Sequence, residues 1–329
     1  MQPVFYPFMC YIYILAAIMA LASCSSPAGR AASAASETAV EVKASFNGDS
    51  AYFLVKKQVE MGPRVPGTAA HAACAEFLTA FLGQYCDTAF VQRGRVTTWD
   101  NTPLDISNII GVINPAAERR ILLLAHWDCR PWADHDPVPG KRRNPVPGAN
   151  DGASGVAVLL QLAREFSADK PAIGVDILLV DAEDWGNPGG DDDSWALGTQ
   201  FWTASPHRSV SEYQYAILLD MVGTHNARFK KDYYSMAYAP DVMNFVWQTA
   251  RENGLGDFFV NEDGFGITDD HLYINRAGIK CIDIIDQNNS GTGTGFFPQW
   301  HTTADDMGVI SAATLRAVGT CLKALIGKY

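Results

Sequence analysis

The chain has 329 residues and a formal net charge of −11 at pH 7, and 48% of its residues are hydrophobic. This acidic balance, without a basic stripe that carries interleaved aromatic residues, argues against a nucleic-acid partner. The length, and the regular alternation of apolar runs with Gly and Pro, predict one globular domain without internal repeats.

The first 40 residues have the features of an exported protein. An apolar run at residues 11–22 is too short for a comfortable membrane span, and small residues lead from it into Cys24. This order predicts a signal peptide at residues 1–23 and resembles the bacterial lipoprotein cleavage box, in which the cysteine becomes lipidated. An ordinary cleaved signal is the alternative. Residues 24–40 are rich in Ala and Ser and predict a flexible tether, which leaves residues 41–329 as one folded domain.

The localisation that follows is periplasmic. We expect a monomeric, exported lipoprotein that contacts the membrane only through a lipid on Cys24. Because export permits disulfides, Cys74 with Cys86 is a candidate pair, which the sequence leaves open. The cysteines form no CxxC pair, so a zinc site built from thiolates is not expected.

The apolar pattern predicts alternating helices and strands. Helical spacing indicates helices at residues 50–62 and 68–84 near the start, and at 154–166, 242–253 and 312–325 later. Short β-branched runs indicate strands buried on both faces, and they lie at residues 106–113, 121–125, 175–180, 216–221 and 280–285. This order predicts a three-layer α/β/α sandwich with a central mixed, mostly parallel sheet.

Polar residues follow three of these strands, at the edge of the sheet where ligands bind in folds of this kind. An aspartate at the start of a predicted helix and a histidine near the C-terminus join them. Singly, such residues can be core histidines or helix caps. The candidates are His126, Asp128, Asp151, Glu183, Asp184, Asp220 and His301.

The adjacent acids Glu183 and Asp184 favour a metal. Two like charges at a strand end repel each other unless a cation or a shared proton neutralises them. Residues 176–200 contain no Lys or Arg, and three further aspartates at 191–193 add negative charge. A divalent metal is therefore the natural counter-charge. One histidine with two carboxylates can hold a catalytic zinc, and an adjacent free carboxylate can serve as acid and base.

The order and spacing of these residues resemble those of the zinc aminopeptidase clan and, inside it, the zinc-dependent glutaminyl cyclases. The resemblance spans residues 50–329. Three features favour the cyclases: the Asp-Asp-His segment at residues 269–271, Trp300 directly before His301, and a long interval between Asp184 and Gly198. One feature departs from the animal cyclases, which have Glu at the position of Asp184.

The resemblance implies the chemistry of the site. One zinc ion would be bound by Asp151, Asp184 and His301, and Glu183 would be the general acid and base. The reaction would convert an N-terminal glutamine of a peptide or protein into pyroglutamate with release of ammonia.

The same resemblance gives roles to Asp220, Asp269 and Trp300, and Trp185 is added because it directly follows the candidate ligand Asp184. Asp220 and Asp269 would share protons with Glu183 and orient the substrate amine, since carboxylates in contact are stable only with a proton between them. Trp300 and Trp185 would form walls of the substrate pocket.

Two alternatives remain open. An exported aminopeptidase would use two zinc ions, with His126 and Asp220 as additional ligands and Glu183 to activate a bridging water. In the cyclase, His126 and Asp128 would instead support the site without binding a second metal. A binding module that retains the fold without activity is the other alternative.

Overall fold

A six-stranded sheet lies at the centre of the protein in a computed structural model, which describes residues 45–287 and 293–329. The strands of the described residues are β1 (Thr88–Thr97), β2 (Pro103–Ile113), β3 (Arg120–His126), β4 (Gly174–Val180), β5 (Tyr213–Asp220), β6 (Phe229–Lys231), β7 (Phe259–Asp263) and β8 (Cys281–Ile285). The central sheet has the order β1-β2-β4-β3-β5-β8, whereas β6 and β7 pair separately. Strands β4, β3, β5 and β8 run parallel, and β2 is antiparallel to both of its neighbours. The predicted mixed, mostly parallel sheet is confirmed.

Helices cover both faces of this sheet. They are α1 (Gly48–Glu60), α2 (Ala69–Tyr85), α3 (Ala153–Ala168), α4 (Leu197–Ala204), α5 (Tyr233–Tyr238), α6 (Pro240–Glu252), α7 (Asp270–Arg276) and α8 (Ala312–Ile326). Among the described residues, none of these helices is both long and apolar enough to span a bilayer.

The two faces of the sheet have separate cores because successive strand residues point to opposite sides. Leu123 and Leu179 belong to the larger core, which contains buried residues of α1, α2, α3, α6 and α8. Leu122 and Leu178 belong to the core on the other face, where Trp202 of α4 packs. The three-layer α/β/α sandwich is therefore confirmed.

The start of α3 is fixed against the end of β5. Gly155 permits this close approach, because a Cβ atom there would lie 2.2 Å from the carbonyl oxygen of Leu219. The Ser154 hydroxyl donates to the Asn150 carbonyl at 2.6 Å and accepts from the Val222 N–H at 3.0 Å. These contacts hold the loop before α3 at the carboxyl end of the parallel strands.

Each predicted helix and strand is present, but several short elements escaped the sequence patterns. Strand β1 is an edge strand with no buried residue and with Arg93 and Arg95 in its middle, so it lacks a strong apolar signal. Helices α4, α5 and α7 have eight residues or fewer, which is too short for a helical period to be clear.

The candidate disulfide between Cys74 and Cys86 is wrong. Both thiols are free. Cys74 lies in the second turn of α2 and Cys86 follows its last residue. Twelve residues of α-helix separate two positions by about 18 Å, whereas bonded cysteines have Cα atoms within about 7 Å. The predicted signal peptide, tether and lipidated Cys24 lie outside the described residues, and the domain boundaries stay predictions.

Candidate active site

The candidate residues meet at the carboxyl edge of the parallel strands. His126 and Asp220 are the last residues of β3 and β5, and Glu183 and Asp184 follow β4 after a short turn. Asp151 precedes α3 by two residues. These carboxyl groups and imidazoles are buried.

The first cluster consists of Asp151, Asp184 and His301, whose donor atoms all lie within 4.8 Å of one another. His301 Nε2 lies 3.4 Å from Asp184 Oδ1 and 3.6 Å from Asp151 Oδ2. These separations are long for hydrogen bonds. They are close to the roughly 3.3 Å expected between two ligands that each lie about 2.0 Å from a tetrahedral zinc. The three residues therefore fit a zinc ion.

The second cluster is centred on His126. Its Nε2 lies 3.1 Å from Asp151 Oδ1 and 3.1 Å from Asp220 Oδ1, and its Nδ1 lies 3.5 Å from Asp128 Oδ1. Asp151 thus directs one oxygen to each cluster. A hydrogen bond from His126 to Asp220 satisfies this geometry without a metal, but the same donors could hold a second ion.

A positive charge beside the acidic pair comes from Arg130, which lies outside the local sequence around that pair. Its guanidinium donates to Asp184 Oδ1 at 3.2 Å and to Asp134 Oδ2 at 2.8 Å, and it is fully buried. It also lies over the rings of Trp132 and Trp195, at 5.1 and 5.0 Å from their centroids. Arg130 is 54 residues from Asp184 in the chain, so only the fold brings them together.

The turn after β4 fixes the backbone of Glu183 and Asp184. It passes through Ala182 in the left-handed region, with φ of 51°. Asp128 then accepts from both following backbone groups, from Glu183 N–H at 3.0 Å and from Asp184 N–H at 3.2 Å. Asp128 therefore orients the acidic pair through its backbone.

Glu183 is held in an environment that favours its protonated form. Burial is the largest cause and raises its pKa well above the ordinary value of glutamic acid. The charge of His126 acts in the opposite direction, while Asp184 and Asp269 raise the pKa further. A carboxyl group of this kind can exchange protons at a pH nearer neutrality than an exposed glutamate.

Asp305 supports the loop that carries Asp151, and sequence reasoning did not single it out. Its two carboxylate oxygens accept from the backbone N–H groups of Asn150 at 2.9 Å and Asp151 at 3.1 Å. Burial raises the pKa of Asp305 to about 8. Its position four residues after His301 is the one signal in the sequence that could have indicated it.

We expect Asp305→Ala to weaken zinc binding by about 10–100-fold, the usual effect of losing a group that orients a metal ligand. Competition with a chelator of known affinity would measure this change. Asp306→Ala is the matched control, because Asp306 is exposed and caps a neighbouring turn through Gly308. Equal zinc affinities for the two variants would contradict the role of Asp305.

The cluster opens into a cavity of about 270 Å³. Glu183, Asp220, Asp269 and Trp300 all line it. The ring of Trp300 stacks on His301 with centroids 3.7 Å apart. The remaining walls are largely apolar and include Trp195, Met221, Phe265, Ile267, Ile285 and Phe296.

Trp185, predicted as a second pocket wall, lies in a neighbouring apolar cluster. Trp185 is not among the residues that line the cavity, and it packs against a small core that includes Leu104 and Leu197. Trp195 provides the wall instead. The two residues after Trp195 bond to the turn that carries the acidic pair: Ala196 N–H donates to the Glu183 carbonyl at 3.1 Å, and Leu197 N–H donates to the Ala182 carbonyl at 3.2 Å.

Known proteins share this arrangement of the chain. The model of peptidase family M28 matches residues 108–326. A zinc-dependent exopeptidase of Parabacteroides distasonis ATCC 8503 is 45% identical, with 87% of this chain and 99% of that chain covered and a TM-score of 0.84. The glutaminyl cyclase of Bacteroides thetaiotaomicron is 44% identical, with the same coverage of 87% and 99% and a TM-score of 0.84.

A curated relative gives a more distant match in sequence. The glutaminyl-peptide cyclotransferase-like protein of Bos taurus is 22% identical over 290 residues, which span 81% of this chain and 72% of the relative. The matched family region contains the candidate residues from His126 to His301. The chain therefore belongs to peptidase family M28 and, within it, to the group that contains the bacterial glutaminyl cyclases.

Proposed function

We propose that the chain is a zinc-dependent glutaminyl-peptide cyclotransferase, which converts the N-terminal glutamine of peptides or proteins into pyroglutamate and releases ammonia. The observation that carries this proposal is a set of three buried carboxyl groups beside the first cluster, which fits a zinc ion. Glu183, Asp220 and Asp269 all line the same small cavity. Such a set can bind a substrate α-amine and accept its proton. The similarity to bacterial glutaminyl cyclases supports the same reaction.

The proposed ligands are Asp151, Asp184 and His301, and we expect one zinc ion. When bound, this ion would supply Lewis acidity, which makes the side-chain amide carbon of the glutamine more electrophilic. The apolar wall around Trp300 would hold the methylene groups of the glutamine and exclude water from the amide.

Glu183 would move the proton. As a carboxylate it accepts a proton from the substrate α-amine, whose nitrogen then forms a bond to the side-chain amide carbon. Glu183 returns that proton to the amide nitrogen, the bond between this nitrogen and the carbon breaks, and ammonia leaves. One ring is formed, and no water is consumed.

Asp220 and Asp269 would control the charge around this step. Burial raises the pKa of Asp220 to about 6 and that of Asp269 to about 7. At neutral pH these two groups can therefore share protons with Glu183, and the three carboxyl groups titrate as one coupled set. A set that is partly protonated can accept a hydrogen bond from the amine without accumulating three negative charges.

The rate should fall at acidic pH for a defined reason. Glu183 must be ionised to accept the proton, so kcat/KM rises as pH increases through its pKa. Burial and the neighbouring acids raise that pKa. We therefore expect the midpoint of the acidic limb of the pH profile to lie above about 4.3, the ordinary pKa of glutamic acid. Measurements on Gln-Ala at constant ionic strength would locate the limb, with circular dichroism to follow folding. A flat profile over the whole range in which the protein stays folded would contradict this expectation.

A two-zinc aminopeptidase is the second candidate function. The observation that favours it is the second cluster, in which His126, Asp151 and Asp220 offer donor atoms within 4.8 Å of one another. Family membership and the similar exopeptidase agree with it. Under that function His126 and Asp220 would be ligands, and Glu183 would activate water.

Two substrates and a metal count separate the candidates. The soluble protein, residues 40–329, is incubated with Gln-Ala and with Leu-p-nitroanilide, and zinc is measured on the same sample. Ammonia with about one zinc per chain is the expected result. Release of p-nitroaniline with about two zinc ions per chain would contradict the cyclase and support the aminopeptidase.

We also propose that the protein is an exported, periplasmic lipoprotein anchored through Cys24 and that it acts as a monomer. The support for export and anchoring is the sequence of residues 1–40 alone. Fractionation of cells that produce the protein tests the anchor: Cys24→Ser should move the protein from the membrane to the soluble fraction. An unchanged distribution would contradict lipidation.

A further inference from the structure

His71 lies on α2, outside the cavity, yet it contacts the segment that carries the acidic pair. Its Nε2 lies 2.8 Å from Asp181 Oδ1 and 3.0 Å from Asp181 Oδ2. The side chains of His71 and Asp181 are 8% and 0% exposed. We infer that His71 is a positioning residue, which acts through Asp181 on the turn that presents Glu183 and Asp184. This inference rests on the proposed function.

Asp181 ties that turn to the sheet. Its Oδ1 accepts from the Ala182 N–H at 2.8 Å, and its Oδ2 accepts from the Ser107 N–H of β2 at 2.7 Å. The Asp181 N–H in turn donates to Asn108 Oδ1 at 3.0 Å. One carboxylate therefore holds Ala182 in a left-handed conformation that side-chain-bearing residues rarely adopt, and it joins the turn to β2.

The imidazole of His71 is itself held in place. Its ring stacks on the indole of Trp127 with centroids 4.3 Å apart and an angle of 19° between the planes. Trp127 is fixed in turn, because its Nε1–H donates to the Ser107 carbonyl at 3.1 Å. The His71 N–H donates to Thr68 Oγ1 at 3.2 Å, at the start of α2. The imidazole therefore links α2 to the turn through Asp181.

Loss of His71 would leave a buried carboxylate without the partner that offsets its burial. Burial raises the pKa of Asp181, and the contact with His71 acts in the opposite direction. Without that contact the carboxyl would protonate or shift, and its bonds to Ala182 and Ser107 would weaken. Glu183 would then be misplaced while the cavity walls, which do not include His71, stay in position.

The expected result is a loss in kcat and not in KM. Displacement of a catalytic group by about 1 Å can cost on the order of 100-fold, so we expect His71→Ala to lower kcat for Gln-Ala by about 10–100-fold. KM should change by less than about threefold, since the contacts that bind the substrate and the transition state equally well remain. His71→Gln places an amide N–H near Asp181 and should recover most of the rate, whereas the shorter His71→Asn should not.

The chain offers a matched control in His207. Its Nε2 lies 3.1 Å from Asp176 Oδ2, with 8% and 0% side-chain exposure, so this is a second buried contact between a histidine and an aspartate. Asp176 also accepts hydrogen bonds from three further side chains, Arg120, Arg208 and Tyr213. Asp176 lies near the amino end of β4, away from the turn at Asp181. His207→Ala also removes a buried imidazole, and because this contact lies away from the turn it should leave kcat unchanged.

The experiment measures kcat, KM, melting temperature and zinc content of the full-length enzyme and its variants. Low kcat in His71→Ala, recovery in His71→Gln and a normal kcat in His207→Ala support the inference. Equal kcat values for His71→Ala and His207→Ala overturn it, whatever their melting temperatures. If His71→Ala does not fold, a low kcat in His71→Asn together with a near-normal kcat in His71→Gln supports the inference, and equal kcat values for these two variants overturn it. A wild-type enzyme that releases no ammonia refutes the proposed function itself, and the inference falls with it.

Discussion

Glu183→Gln is expected to lower kcat by about 10²–10⁴-fold while zinc content stays unchanged, which is the range that general acid–base groups contribute. The glutamine side chain has nearly the same shape but cannot accept the amine proton. Glu183 is buried, lines the cavity and has no place in the cluster of Asp151, Asp184 and His301. The Glu183→Gln variant should therefore lose the chemical step and still bind zinc.

Asp184→Asn is the matched variant for this test, because it makes the same chemical change one residue later. It alters a proposed ligand, so it should lose zinc as well as activity. Kinetics on Gln-Ala and metal analysis of both purified proteins would check the contrast. A Glu183→Gln enzyme with a near-normal rate would remove Glu183 from the role of base.

His301→Ala is expected to have the second large effect, since it removes the nitrogen donor of the first cluster. His301 Nε2 faces both Asp184 and Asp151, and Trp300 stacks against the ring. Zinc content should fall to a small fraction of one ion per chain, and cyclase activity should fall with it.

His225→Ala controls for the general effect of removing a histidine. His225 is exposed and lies outside the cavity, so its loss should leave zinc content and activity unchanged. Metal analysis after dialysis, followed by an attempt to restore activity with excess zinc, would check both variants. Full zinc occupancy in His301→Ala would show that another residue provides the ligand.

The sequence was sufficient for the parts of the fold with strong local patterns. Buried parallel strands give continuous apolar runs, and the long helices have clear apolar faces, so β3, β4, β5 and α3 could all be predicted. Residues that end those strands meet in space because parallel strands share one carboxyl edge. For this reason His126, Asp184 and Asp220 could be identified before the structure was known.

Contacts over long chain distances could not be predicted in the same way. Arg130 donates a hydrogen bond to Asp184 from another loop, although the local sequence around the acidic pair contains no Lys or Arg. Asp305 holds the backbone of Asp151 from a position 154 residues away. Trp195 lines the cavity whereas Trp185 packs in a neighbouring cluster, and this difference depends on the path of the loop after β4, which residue types alone do not specify.

Incubation of the enzyme with a peptide that begins Gln-Leu, followed by mass spectrometry of the product, tests the central claim most directly. The proposed cyclase should give a peptide of unchanged length that has lost the mass of one ammonia, and Glu183→Gln should leave the peptide unmodified. Release of free glutamine with a peptide shortened by one residue would contradict the cyclase and identify an aminopeptidase.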